Sequence, residues 1–156
     1  MKKKLTTVFF TTYILLGVLG FLLVTYVGSH LLENRLEKSI SADMYQTAHR
    51  IAENNLVSHN ITSSNMEEIR NNLSIAANYT IIWIINSNGQ IILSTRKDIS
   101  PDNPINLEGF NPASWDSNYY QIGDFYGYFP ETHLSTIAPI TEDMTTRGYV
   151  AIHYLM

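Results

Sequence analysis

Residues 80–95, TIIWIINSNGQIILST, decide the fold. Ile81, Ile82, Trp83, Ile84 and Ile85 form an apolar run with no polar alternation, the pattern of a strand covered on both faces. Four β-branched isoleucines favour a strand over a short helix. The turn NSNG follows, and Asn and Gly tolerate the positive φ that a tight reversal needs. Gln90 to Thr95 then return as a second strand. An inner hairpin of a sheet is expected here, so the rest of the chain has to supply a layer for each face.

Two helices precede it. Residues 29–56, SHLLENRLEKSISADMYQTAHRIAENNL, contain no Gly or Pro. Leu32, Leu36, Ile40, Met44, Ala48 and Ile51 recur at steps of three or four, which lines one helical face. That face packs on its own domain or on a second copy of the same helix. A polar loop, 57–65, leads to SNMEEIRNNLSIAAN, where Ser64 and Glu67 have capping-box spacing. Met66, Ile69, Leu73 and Ala76 share a face of this second helix.

After the hairpin, residues 98–118 are rich in Pro, Asp and Asn and read as an excursion with one short helix at most. Asn111 and Pro112 resemble an N-cap with proline in the first helical position, in a turn carrying Trp115. Three more strands are expected from NYYQIGDFYGYF (118–129), HLSTIAPI (133–140) and GYVAIHYLM (148–156), the last two joined by the polar turn TEDMTTR. Two helices and about five antiparallel strands make an α+β domain.

The start of the chain is of another kind. Residues 5–28 lack Asp, Glu, Lys, Arg and His, and 24 helical residues reach roughly 36 Å against a hydrocarbon core of about 30 Å. Thr6, Thr7, Thr11, Thr12 and Thr25 can bond to the preceding helical turn, so they do not forbid insertion. The stretch exceeds the apolar core of a signal peptide, and VTYVGSH is a poor cleavage site, so an uncleaved anchor fits better. Lys2, Lys3 and Lys4 precede it, and the next basic residue is Arg35. The positive-inside bias therefore assigns 1–4 to the cytoplasm, 5–28 to a transmembrane helix and 29–156 to the outside. Ending in a strand, the chain is expected to be a fragment that stops before a second membrane helix.

Charge and composition exclude some functions. Residues 5–156 carry seven basic and fourteen acidic side chains, a formal charge of −7 with neutral histidines. Such a surface argues against nucleic acid and against adhesion to anionic lipid. There is no cysteine, hence no disulfide or thiolate metal site. HExxH, GxSxG, P-loop and GxGxxG motifs are missing, so no catalysis and no cofactor are expected of these residues. The five histidines are scattered singly. Glu131 and His133 alone have ligand-like spacing, but no third ligand accompanies them, so no metal site is assigned.

The aromatic cluster Tyr119, Tyr120, Phe125, Tyr126, Tyr128 and Phe129 reads either as core or as the wall of a pocket. As a pocket between the sheet and the 98–118 excursion, it would take a small ligand through Arg96, Tyr120, Asp124, Tyr126, Tyr128 and His133. Arg96 suits an anionic group, because a guanidinium binds a carboxylate through two parallel bonds. It could equally pair with Asp98.

In this order the parts resemble the extracytoplasmic PAS-like, or Cache, sensor domain of bacterial membrane receptors, especially sensor histidine kinases of Gram-positive bacteria. The resemblance spans nearly all 156 residues. A basic start and membrane helix lead into a long outward helix. IIWIINSNGQIILST resembles the family's strand, turn and second strand, and FYGYFPETHLSTIAPI and GYVAIHYLM its closing strands. The resemblance implies a ligand-sensing domain that passes a shift through membrane helices, acts as a homodimer and belongs to a full-length histidine kinase. The HAMP linker, the kinase core and the second membrane helix of that family are not among these residues. Rival expectations are a divalent-cation or pH sensor, and an interaction module of a chemoreceptor or cyclic-dinucleotide enzyme that binds no small molecule.

Overall fold

A computed structural model of the chain describes residues 2–54, 61–77, 80–96, 99–115 and 119–156. Residues 57–60 of the expected loop, Leu56 at the end of the first helix and the Asp98 carboxylate lie outside them. The chain divides into two units, Met1–Ser39 and Ile40–Met156.

The described residues of the first unit are helical and belong to α1 (Lys2–Ala52). It is long and apolar enough to cross a membrane. Its side chains from residue 7 to residue 26 are exposed. Thr11, Thr12 and Thr25 donate their hydroxyls to the carbonyls of Thr7, Val8 and Phe21 at 2.7–2.8 Å, so these polar groups are satisfied within the helix. Leu32 and Leu36, expected on the apolar stripe, are also exposed.

In the second unit the stripe takes hold. Met44, Ala48, Ile51 and Ala52 at the end of α1 are buried, and so are Ile69 and Leu73 of α2 (Met66–Ala76). Both helices lie on one face of a six-stranded antiparallel sheet in the order β3-β2-β1-β6-β5-β4. The strands are β1 (Ile81–Asn86), β2 (Gln90–Ser94), β3 (Ile105–Asn106), β4 (Tyr120–Gly123), β5 (His133–Glu142) and β6 (Thr145–Leu155).

As the apolar run implied, β1 is an inner strand, paired with β2 on one side and β6 on the other. Its side chains alternate between two cores. Ile82 and Ile84 join Leu93, Leu134, Ala138, Val150 and Ile152 beneath the helices. Trp83 and Ile85 join Ile91 and Ala151 on the opposite face, under Ile99, Leu107 and Phe125. Each buried Ile or Leu contributes about 1.5–3 kcal/mol through removal from water, so the two cores, rather than the hairpin alone, hold β1 in place. At the turn, Gly89 has φ +78° and Asn86 Oδ1 accepts the amides of Asn88 and Gln90 at 3.0 Å.

Three details depart from the sequence expectations. β3 adds a two-residue sixth strand inside the excursion, where Leu107 N–H reaches the Gly89 carbonyl at 3.1 Å. The Ser64–Glu67 capping box does not form. Asn65 is the N-cap and its side chain turns back to accept the Thr62 amide at 2.8 Å, while Glu67 pairs with Arg70 at 2.8 Å. And 118–129 is not one strand: β4 stops at Gly123, and the aromatics after it form a turn.

Candidate functional site

The sheet face away from the helices is covered by residues 99–115 and 125–129, and that cover builds the site. Trp83 on β1, His153 on β6, and His133 and Ser135 on β5 project onto this face because they share the odd positions of their strands' two-residue period. Register brings them together, with Ser135 opposite His153 and His133 opposite Leu155.

Above them the chain makes a left-handed turn. Phe125, Tyr126 and Gly127 have φ of 45°, 56° and 73°. Tyr128 N–H bonds the Phe125 carbonyl at 3.2 Å and Phe129 N–H the Asp124 carbonyl at 2.9 Å. This conformation costs an ordinary L-residue about 1–2 kcal/mol. Packing offsets it: Phe125 is buried, 5.7 Å from Trp83 and 4.4 Å from His153 between ring centroids. Phe129 stacks on Trp83 at 5.0 Å and on His133 at 3.9 Å, and Tyr128 meets the Trp83 edge at 4.6 Å.

The polar atoms in this aromatic box are partly satisfied. His133 Nδ1 donates to the Glu131 carbonyl at 2.9 Å, and His153 Nδ1 is hydrogen-bonded to Ser135 Oγ at 2.8 Å. Trp83 Nε1 and His153 Nε2 are buried without a hydrogen-bond partner, their rings 4.2 Å apart. Burial, with a smaller contribution from His133, pushes the His153 pKa well below its usual value, so the ring is neutral. Two adjacent orphaned groups, one of them a fixed N–H donor, are thus closed off from solvent within the aromatic core.

Of the six residues expected to bind ligand, the structure brings three to this face. Tyr128 and His133 lie in the box, and Tyr126 anchors the cover, its hydroxyl accepting Trp115 Nε1–H at 2.8 Å and donating to the Asn111 carbonyl at 3.2 Å. Tyr120 packs instead with the helix-side core, and Arg96 and Asp124 are exposed, Arg96 just past the end of β2. Glu131 is exposed and meets His133 through its backbone, not its carboxylate. Among the described residues no group of three or more acidic or histidine side chains is placed to hold a metal. Sequence reasoning missed Trp83, Ser135 and His153; the signal was a histidine inside the apolar alternation of 148–155.

No protein-family model matches the chain, and no curated protein matches it in sequence. Solved structures do match in shape. The extracellular domain of a protein described as a histidine kinase superposes with a TM-score of 0.54 at 15% identity, over 81% of this chain and 55% of that one. A domain of a protein from Vibrio parahaemolyticus, described as of the sensory box/GGDEF family, gives 0.53 at 13% identity, over 81% and 58%. The chain spans little more than half the length of either. At such identities the likeness is one of fold: an α+β, PAS-like or Cache-type domain with a six-stranded antiparallel sheet and a long N-terminal helix.

Proposed function

We propose that this chain is the extracytoplasmic, ligand-sensing part of a bacterial transmembrane receptor, residues 5–28 crossing the membrane and 29–156 lying outside, and that the receptor is a homodimeric sensor histidine kinase. One observation carries the reading. The helix α1 (Lys2–Ala52) contains a membrane-length apolar segment and, further along, residues buried in a Cache-type domain. The three lysines at the start and the first of the two similar structures support the orientation and the output.

A ligand under the cover would meet Trp83 Nε1, His153 Nε2, Tyr126, Tyr128 and His133. It moves the receptor only through a difference in affinity between two states, and a full switch from 1:99 to 99:1 takes about 5.5 kcal/mol. Thermal-shift screening of the chain in detergent micelles against amino acids, carboxylates and sugars tests this. A true ligand at about a hundred times its dissociation constant adds about 2.7 kcal/mol. If no compound raises the midpoint, an interaction module replaces the ligand sensor.

A further inference from the structure

At the other end of the covered face a cavity of about 190 Å³ opens beside β5. β4 pairs with β5 only from His133 to Thr136, so Ile137 and Pro139 stand on an unpaired edge at the cavity's side. Proline there removes the N–H that an added strand would need, which leaves the edge to a small molecule.

Four aromatic residues from different parts of the chain wall it: Tyr45 of α1, Trp115, Tyr119 and Tyr149 of β6. Each is held in place. Tyr45 and Tyr119 contact ring to ring at 4.9 Å, Tyr149 meets Phe110 at 5.5 Å, and the Trp115 N–H is engaged by the Tyr126 hydroxyl at 2.8 Å. No Lys, Arg, Asp or Glu is among the described residues that line the space. Among those described residues an anion finds no guanidinium or ammonium, and a primary ammonium finds no carboxylate to replace the water it gives up. A quaternary ammonium group donates no hydrogen bonds and is attracted by the faces of Trp and Tyr. The formal net charge of −4 attracts cations over longer range.

We propose that this aromatic cavity binds a small quaternary ammonium compound. Its role as a sensory input rests on the receptor reading above, whereas its binding chemistry does not. The test is calorimetric titration of the full chain, in maltoside micelles free of choline lipids, with choline and with the neutral tert-butyl analogue of choline. Saturable choline binding is expected, about fivefold to thirtyfold tighter than that of the analogue. Tyr119→Leu keeps an apolar wall and removes the ring. Tyr119 is 66% exposed, so the fold survives the change. Choline binding should weaken about fivefold in that variant while the analogue is unaffected, and Tyr45→Leu gives the same reading through a wall on another element. Equal affinity for choline and its analogue, unchanged choline affinity in both variants, or no saturation would overturn the proposal. A chain that binds choline but keeps residues beyond 60 in the cytoplasm loses the receptor reading and retains the cavity; correct topology without binding does the reverse.

Discussion

Acidification from pH 7 to pH 5 charges His153 readily in the unfolded chain, but the folded structure resists that charge. The imidazole is fully buried, with Trp83, Phe125 and Phe129 within 5.0 Å between ring centroids. Desolvation first, and His133 second, lower its pKa well below 6.5. The folded state therefore binds fewer protons than the unfolded one. This group's contribution is fully present above the unfolded-state pKa and is lost as pH falls below it, until the folded pKa is reached. The loss between pH 7 and pH 5 has an upper limit of about 2 kcal/mol, reached when the folded imidazole takes up no proton over that range. Urea unfolding of the chain in micelles at pH 7, 6 and 5, followed by tryptophan fluorescence, measures it. The His153→Gln side chain does not titrate, so wild type should lose more stability than this variant over the same range, by up to about 2 kcal/mol. Equal losses in the two proteins would refute the buried, neutral imidazole.

Other substitutions test the frame around the site. Asp143 and Met144 form the two-residue turn between β5 and β6 with φ of 49° and 61°, and Met144 is fully exposed; Met144→Gly should raise stability by about 1 kcal/mol in the same unfolding assay, and a loss would contradict the left-handed turn. A Cβ at Gly148 would lie 2.3 Å from the Ile85 carbonyl oxygen, so Gly148→Ala should destabilise by about 1–3 kcal/mol or more by forcing β6 from β1; wild-type stability would be inconsistent with that register. Thr136 Oγ1 is buried without a partner on the helix-side face, and Thr136→Val should be stabilising by about 1 kcal/mol; a drop of that size would mean that the hydroxyl is satisfied.

Much of the frame was legible because its signals are local. An unbroken β-branched apolar run places Ile81 to Ile85 inside the sheet, a period of three to four residues places Met44, Ala48 and Ile51 against it, and the Asn–Gly turn chemistry fixes the first hairpin. β3 carries no such signal, since two residues became a strand only through pairing with β2. Phe125 and Tyr126 hid a left-handed turn, because bulky residues disfavour that conformation and only burial against Trp83 and His153 stabilises it. That turn is also why the expected site divides. Tyr120 and Tyr126 are close in sequence, but the strand ends at Gly123 between them, so one faces the helices and the other the cover. The Ser64–Glu67 box matched its motif, yet Asn65 captured the cap position with a bond to Thr62.

The receptor account depends most on which side of the membrane the sheet occupies, and paired reporter fusions measure this directly. Alkaline phosphatase joined after residue 96 and after residue 156 should be active, while a cytoplasm-dependent fluorescent protein at the same sites should stay dark. Fluorescence with inactive phosphatase at both sites would place the domain in the cytoplasm and contradict the account.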